Sequence, residues 1–446
     1  MKIGYIGLGA LGSQLARRFL SHSLCVWDIN TAAVDTFKKL GADVAPTAAD
    51  LARRCDVIFL CLPRSSDVRS ALFGPNGLAA GLVPGTLIID QTSGIPGETR
   101  RMAEELAERG IDMMDAAVSA SPLVVAEGKA TLMVAGSDTV YERALPVLQV
   151  ITQTIYRCGD RVGDGQAMKM VNNAMNAGCR LGTLEVVAMG KKAGLSLPLM
   201  ADVLNRNKAR NQTTDRMLPA LAQGKPSTNF ALALMLKDVD QAVALGMSRD
   251  VPMPLTALVR ALLQIGTNTL GPNAQLEDMV GLIENMAATK LYDGDIVTPN
   301  TVSAPQACPE GDAIELVTGA IASLCSAITY ECTAAGLRYG LTLEDMALVL
   351  EKTSGWSESS RSIYTQLLSD HALDNTALSS ETTTLKAACL LGNDLGAPML
   401  IANAARSLFE QADHQISDPV PIKDLSTFYS SISAVQLKPS ANCNRR

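Results

Sequence analysis

A chain of 446 residues is long enough for two or three domains with substantial cores. Aromatic residues make up only 4%, which favours helix-rich packing over an all-β sandwich. The net charge of −7 leaves no basic surplus for nucleic acid or an anionic membrane surface, so neither is expected as a partner.

The first residues, Met1 to Gly9, carry a positive charge and then apolar residues. Their glycine spacing and the lack of a cleavage site indicate a strand and a turn instead of a signal peptide, so the expected location is cytoplasmic. Lys2 to Leu8 reads as a buried strand, and a helix through Leu20 follows it. Between them stands Gly7-Leu8-Gly9-Ala10-Leu11-Gly12, the G-x-G-x-x-G arrangement of a dinucleotide site. Gly7 serves the tight turn, Gly9 the close approach of a pyrophosphate at the helix N-terminus, and Gly12 the packing of helix on strand. A second strand, Leu24 to Trp27, ends at Asp28, where an acid can hydrogen-bond the adenosine ribose. Asp28 would repel a 2′-phosphate, and Ile29, Asn30 and Thr31 bring no arginine to accept one. NAD is therefore expected in preference to NADP.

Apolar runs at Val57 to Leu62, Leu87 to Asp90 and Met113 to Ala116 alternate with helical patterns. The fold class is α/β: a Rossmann-type, doubly wound parallel sheet over residues 1–162, followed by two tandem all-helical domains at 163–297 and 309–433. Ligands of such sheets sit beyond the carboxyl ends of the strands. That rule directs attention to Leu62-Pro63, to Asp90 through Ser93, and to Asp115 through Ser121.

The strand signal stops at Gly163, where Gly163 to Asn173 opens a long helix. Lys169 and Asn173 lie one turn apart and share a helix face. Among Ala, Met, Val and Leu, Lys169 is expected to be partly desolvated, which moves an amine toward the range where it can take a proton. A shift of 146 residues lays this helical region on itself without a gap from about 171 to 279. Gly194-Leu195 falls on Gly340-Leu341, Glu185 on Glu331, Cys179 on Cys325 and Gly246 on Gly392. The polar positions do not repeat: Lys169 meets Glu315, Asn172 meets Thr318, Asn173 meets Gly319, and Lys237-Asp238 meets Thr383-Thr384. One active site per chain follows, with the second copy as structural partner in an internal pseudo-dimer, the chain being a monomer or a homodimer. Thr298 to Pro309, with three prolines, reads as a linker, and the residues from about Ala434 as a polar tail. The apolar run Leu316 to Tyr330 is too short to span a bilayer and reads as a core helix. Ten cysteines without Cys-x-x-Cys and three scattered histidines (His22, His371, His414) suggest neither a disulfide framework nor a metal site.

In combination these motifs resemble the β-hydroxyacid dehydrogenase family, which includes 3-hydroxyisobutyrate and 6-phosphogluconate dehydrogenases. The resemblance covers residues 1 to about 290, with the second copy as a divergent duplicate. It rests on Gly7 to Gly12, on Asp115 to Gly128 as the substrate-binding stretch, on Gly163 to Asn173 as the catalytic stretch, and on Lys237-Asp238. It implies Lys169 as catalytic lysine with Asn173 beside it, and Ser119, Ala120, Ser121 and Asn172 at the substrate. Leu62, Pro63 and Ser93 would line the cofactor, and Lys237 would lie near the nicotinamide. The implied substrate is a small carboxylate-bearing hydroxyacid or semialdehyde. The family usually reads Val-Ser-Gly-Gly where this chain has Val118-Ser119-Ala120-Ser121, so the pocket is narrowed or reshaped. Two other functions stand beside this one: a non-catalytic NAD-binding redox sensor and an imine reductase.

Overall fold

Apolar runs flanked by helical patterns become, in the first 160 residues, one eight-stranded sheet with helices on both faces. The computed structural model describes residues 1–227, 230–292, 309–369, 378–415 and 425–439. Of the predicted linker only Pro309 is among them, and of the polar tail only Ala434 to Pro439. The chain divides into two compact units, Met1–Lys169 and Met170–Arg446.

The first unit runs β1 (Ile3–Ile6), α1 (Ala10–Arg17), β2 (Leu24–Trp27), α2 (Thr31–Lys39), β3 (Asp43–Val44), α3 (Ala48–Ala52), β4 (Val57–Leu60) and α4 (Ser65–Phe73). It continues through β5 (Leu87–Asp90), α5 (Pro96–Ala107), β6 (Asp112–Ser119), α6 (Pro122–Ala126), β7 (Thr131–Ala135), α7 (Asp138–Ile151) and β8 (Thr154–Arg157). Strand order is β3-β2-β1-β4-β5-β6-β7-β8. Successive side chains of one strand feed opposite cores: Ile3, Tyr5, Val57 and Phe59 enter one, Ile6, Ile58 and Leu60 the other. Burial on both faces is why these strands read as continuous apolar runs instead of alternating ones.

The sheet is not parallel throughout, a correction to the sequence reading. β6 and β7 are antiparallel, with Asp115 opposite Ala135 and Ser119 opposite Thr131. The connection from Ser119 to Thr131 holds only the five-residue α6, too little for the helical crossover that a parallel return requires. β3, β7 and β8 escaped prediction, because β3 has two residues and β8 none that is fully buried.

The helix α8 (Asp164–Lys192) starts in the first unit and continues into the second. It is followed by α9 (Leu197–Leu204), a π-helical turn at Thr213–Met217, α10 (Leu218–Leu221), α11 (Leu232–Met247), α12 (Pro254–Leu270) and α13 (Met279–Ala287). Then come α14 (Glu310–Tyr339), α15 (Leu343–Leu350), α16 (Glu358–Leu368), α17 (Leu378–Asp394), α18 (Leu400–Gln415) and α19 (Leu425–Ile432). α8 and α14, α9 and α15, α11 and α17, and α12 and α18 each start 146 residues apart.

Contacts between the two copies in the second unit are reciprocal at that same shift. Gly178 faces Ile328 while Gly182 faces Leu324, and Gly190 faces Val317 while Gly336 faces Val171. Asn211 bridges to Ser357, its own counterpart. Reciprocity of this kind is the signature of an approximate two-fold axis, here inside one chain. Small residues at the crossing let the two long helices approach closely. Two buried glutamates cross the same boundary. Glu185 accepts hydrogen bonds from the amides of Leu400, Ile401 and Ala402 at 2.7, 3.1 and 3.0 Å, at the start of α18. Glu331 accepts from the amides of Leu255 and Thr256 and from the Thr256 hydroxyl at 3.1, 2.7 and 2.7 Å, at the start of α12. Each carboxylate satisfies the orphan N–H groups of a helix that belongs to the other copy.

α14 is long and apolar enough to cross a membrane by length and composition, and 78% of its most apolar window is buried inside the unit. It is longer than the apolar run that marked it in the sequence, and its buried face makes it a core helix. The cysteines that the structure describes are free thiols.

Candidate active site in two parts

The first part is the glycine turn after β1. Gly7 has φ of +96°, and a Cβ there would lie 2.1 Å from the Cys61 carbonyl oxygen, so only glycine fits. A Cβ at Gly12 would lie 2.0 Å from the Gly7 carbonyl oxygen, which holds α1 tight against the turn. Gly9 behaves differently: a Cβ there would meet nothing within 4 Å. That open space, in front of a helix start without a side-chain cap, is a cradle for a phosphate. Leu8 is buried, Leu11 half-buried, and Gly9 and Ala10 are exposed. Asp28, at the end of β2, accepts the Leu8 amide at 2.5 Å and the Asn30 amide at 2.7 Å, tying the turn to the neighbouring strand. These residues fit a bound dinucleotide.

Further along the same sheet edge, β4, β5 and β6 run parallel to β1, so their carboxyl ends share its side. Leu62 is half-buried, and its amide donates to Thr92 Oγ1 at 3.0 Å; Pro63 is exposed. Lys169 is half-buried, and its Nζ donates to Ser93 Oγ, in the loop after β5. The amine therefore reaches the edge where ligands of such sheets sit.

What steers Lys169 there is a pair of buried carboxyls that the sequence reading did not single out. Asp115, within β6, accepts the amides of Gly163 and Gln166 at 2.6 and 2.7 Å and so anchors the first turn of α8. Burial pushes its pKa up to about 8 against the pull of those two donors. Asp90, at the end of β5, accepts the Thr92 amide at 2.9 Å and Gln166 Nε2 at 3.2 Å, and burial pushes it up to about 6. Asp90 ends its strand, as the sequence reading expected, whereas Asp115 lies inside β6, which continues to Ser119. Ser119 closes β6 and is half-buried, as are Ala120 and Ser121. The Ser121 hydroxyl caps α6 through the Val124 amide at 3.4 Å.

The second part lies in the second unit, on the continuation of α8. Asn173 is 5% exposed; its Nδ2 donates to Asp238 Oδ2 at 2.7 Å, and its Oδ1 accepts Asn172 Nδ2 at 2.9 Å. Asp238 also lies 3.4 Å from Lys237 Nζ. Asn172 is fully buried, and its amide is engaged by the second copy: Oδ1 accepts the Thr353 hydroxyl and the Gly355 amide, both at 2.8 Å, while Nδ2 donates to Ser354 Oγ at 3.0 Å. Sequence reading placed Asn172 at the substrate; the structure places its side chain on this loop.

A glycine turn, an acid at the end of the second strand and an all-helical second unit define the class of nicotinamide-dinucleotide oxidoreductases. Comparison with known families agrees. The NAD binding domain of 6-phosphogluconate dehydrogenase matches residues 2–159. The family described as NAD-binding of NADP-dependent 3-hydroxyisobutyrate dehydrogenase matches twice, at 163–283 and 310–426. A 2-(hydroxymethyl)glutarate dehydrogenase of Eubacterium barkeri is 34% identical over 64% of this chain and 94% of its own length. The mitochondrial 3-hydroxyisobutyrate dehydrogenase of Mus musculus is 30% identical over 58% of this chain and 80% of its own. A solved 3-hydroxyisobutyrate dehydrogenase of Mycobacterium tuberculosis with L-serine has the same fold, at a TM-score of 0.58 and 23% identity, over 63% of this chain and 98% of that one. The chain belongs to the β-hydroxyacid dehydrogenase family and is an NAD(P)-dependent oxidoreductase for a hydroxyacid-type substrate.

Proposed function

We propose that the enzyme interconverts a β-hydroxyacid and its semialdehyde or keto form, with NAD as the dinucleotide and Lys169 as general acid and base. The observation that carries this reading is the Lys169 amine held against Ser93 at the carboxyl end of β5, on the side of the sheet that holds the glycine turn. When bound, the nicotinamide supplies the hydride acceptor or donor. Lys169 takes the hydroxyl proton in oxidation and returns it in reduction, its charge balancing the oxygen while the proton moves. Asn173 Nδ2 carries a second N–H besides the one given to Asp238, while its Oδ1 accepts from Asn172, and this second N–H holds the reacting oxygen. Ser119 and the amides near it take the carboxylate, in a pocket narrowed by Ala120 and Ser121. The preference for NAD rests on Asp28, whose carboxylate repels a 2′-phosphate.

A panel of 2-(hydroxymethyl)glutarate, 3-hydroxyisobutyrate and L-serine, followed by absorbance of the reduced dinucleotide with NAD and with NADP, tests the reading. At least one acid is expected to turn over, with NAD bound more tightly. Lys169→Ala should lower turnover at least about a hundredfold with NAD affinity nearly unchanged. A variant that keeps most of its turnover would remove Lys169 from the mechanism. Reduction of a cyclic imine with no acid turned over would replace the reading with an imine reductase, and dinucleotide binding with no turnover at all would leave a sensor.

A further inference from the structure

The two helical copies meet across an approximate two-fold axis, and contacts that serve packing alone come in equivalent pairs. The loop between α15 and α16 breaks that rule. Thr353, Ser354 and Gly355 hold Asn172 through three hydrogen bonds, and the Ser354 carbonyl accepts Asn176 Nδ2 at 2.6 Å. Gly355 is there for closeness: a Cβ would lie 2.8 Å from the Asn172 carbonyl oxygen and 3.0 Å from its Oδ1. The equivalent loop of the first copy is Asn207-Lys208-Ala209. Asn207 turns inward, donating to the Val203 carbonyl at 2.8 Å and accepting the Ala209 amide at 2.9 Å. Lys208 stands 4.0 Å from Glu381. Among the described residues, the polar grip is found on the side that bears Asn172 and not at the equivalent loop.

The hydrogen bonds also carry a direction. Gly355 N–H can only donate, so it must face Asn172 Oδ1, which turns Asn172 Nδ2 toward Asn173 Oδ1. Asn173 Nδ2 is then turned toward the Asp238 carboxylate, an acceptor at its other end. We propose that the second helical copy is a working part of the active site: Thr353, Ser354 and Gly355 are positioning residues that fix Asn172 and, through it, the orientation of the Asn173 amide. The proposal rests on the reading that Asn173 holds the reacting oxygen.

The test is Thr353→Val and Ser354→Ala in the full chain, assayed with the panel acid that turns over, beside Lys169→Ala. Each loop variant is expected to lower kcat about tenfold while NAD affinity and melting temperature stay near those of the parent, and Thr353→Ser should restore kcat. A fall in melting temperature with parental kcat per folded molecule would show a purely structural loop and overturn the proposal. A crystal structure of Thr353→Val decides independently of activity: the Asn173–Asp238 hydrogen bond lengthens or breaks if the proposal holds, and an undisturbed pair refutes it. Lys169→Ala keeps the two readings apart, since its retention of turnover would defeat the general-base assignment and leave the loop results to stand or fall on their own.

Discussion

The helix that carries Asn172 and Asn173 and its counterpart 146 residues later make the same packing contacts and opposite polar ones. In the first copy Asn173 meets Asp238 through a 2.7 Å hydrogen bond. At the equivalent place in the second, a Cβ on Gly319 would lie 2.5 Å from the Thr384 methyl, so a methyl fills the space of the amide. Thr384 and Thr383 turn their hydroxyls back to the carbonyls of Ser380 and Ser379, four residues earlier. The Lys169 counterpart, Glu315, is exposed. The reciprocal crossing contacts and the paired glutamates are shared, whereas the polar residues assigned to the ligand are not. The frame and the chemistry are separable in this chain, because helix crossing depends on shape along one stripe while catalysis depends on a few side chains beside it.

Moving the second copy's pair into the first is the most severe test of that separation. Asn173→Gly with Asp238→Thr should lower turnover by about a thousandfold, the scale of losing a positioned donor at a reacting oxygen. The melting temperature should change by only a few degrees, since α14 and α17 already carry these residues in a folded frame. Turnover and melting curves on the same preparation check both. The reverse exchange, Gly319→Asn with Thr384→Asp, should leave turnover at the parental level. A new activity there would mean that the second copy has a dinucleotide partner of its own.

The sequence disclosed those parts whose residue types are forced by geometry. Gly7 needs a positive φ and Gly12 needs the absence of a Cβ, so the dinucleotide turn could be placed to the residue. The helical repeat was readable because Glu185 and Glu331, or Gly246 against Met253 and Gly392 against Met399, serve the same packing role twice. The antiparallel β7 was not readable, since Thr131 to Ala135 has the same apolar look in either direction and only the length of its connection decides. Nor was the engagement of Asn172 by Thr353 and Gly355, which brings together residues 181 and 183 positions apart with no periodicity between them. Asp115 falls between these cases: its place on a strand was visible, while its hold on the amides of Gly163 and Gln166 needed the fold.

If the two copies are equivalent as scaffolding, Glu185 and Glu331 should contribute equally. Glu185→Ala leaves three amides without acceptors, and Glu331→Ala leaves two amides and a hydroxyl. Each should cost about 4 kcal/mol in urea unfolding, from penalties of about 1–3 kcal/mol per orphaned group. A loss confined to one variant would break the comparison. Acidity acts on both sites with one sign. Burial pushes each carboxyl from 4.5 up to about 7. Between those values the folded chain holds protons that the unfolded chain has released. Stability therefore falls as pH rises through that window and levels off above it. At about 1.4 kcal/mol per pKa unit this is on the order of 3 kcal/mol per carboxyl. Asp90 and Asp115, whose pKa values are also raised, act in the same direction in the first unit. The difference between the parent and Glu185→Gln with Glu331→Gln, unfolded at pH 5 and pH 8, isolates the second unit and should carry this slope.

The smallest expected effect lies where the two glutamate sites differ by one donor. Leu400 offers its amide to Glu185, but its counterpart, Pro254, has no N–H. The missing bond is replaced by the Thr256 hydroxyl, which donates to Glu331 at 2.7 Å, whereas its counterpart Ala402 has only an amide to give. Both carboxylates thus receive three donors by different routes. Thr256→Ala should therefore cost about 1 kcal/mol in urea unfolding, the net worth of one hydrogen bond. Pro254→Leu added to Thr256→Ala copies the Leu400 to Ala402 arrangement and should recover most of the loss, because the new amide points where the hydroxyl did. A double variant no more stable than Thr256→Ala alone would mean that the helix start is held by the proline's fixed φ, and that the two sites are alike only in outline.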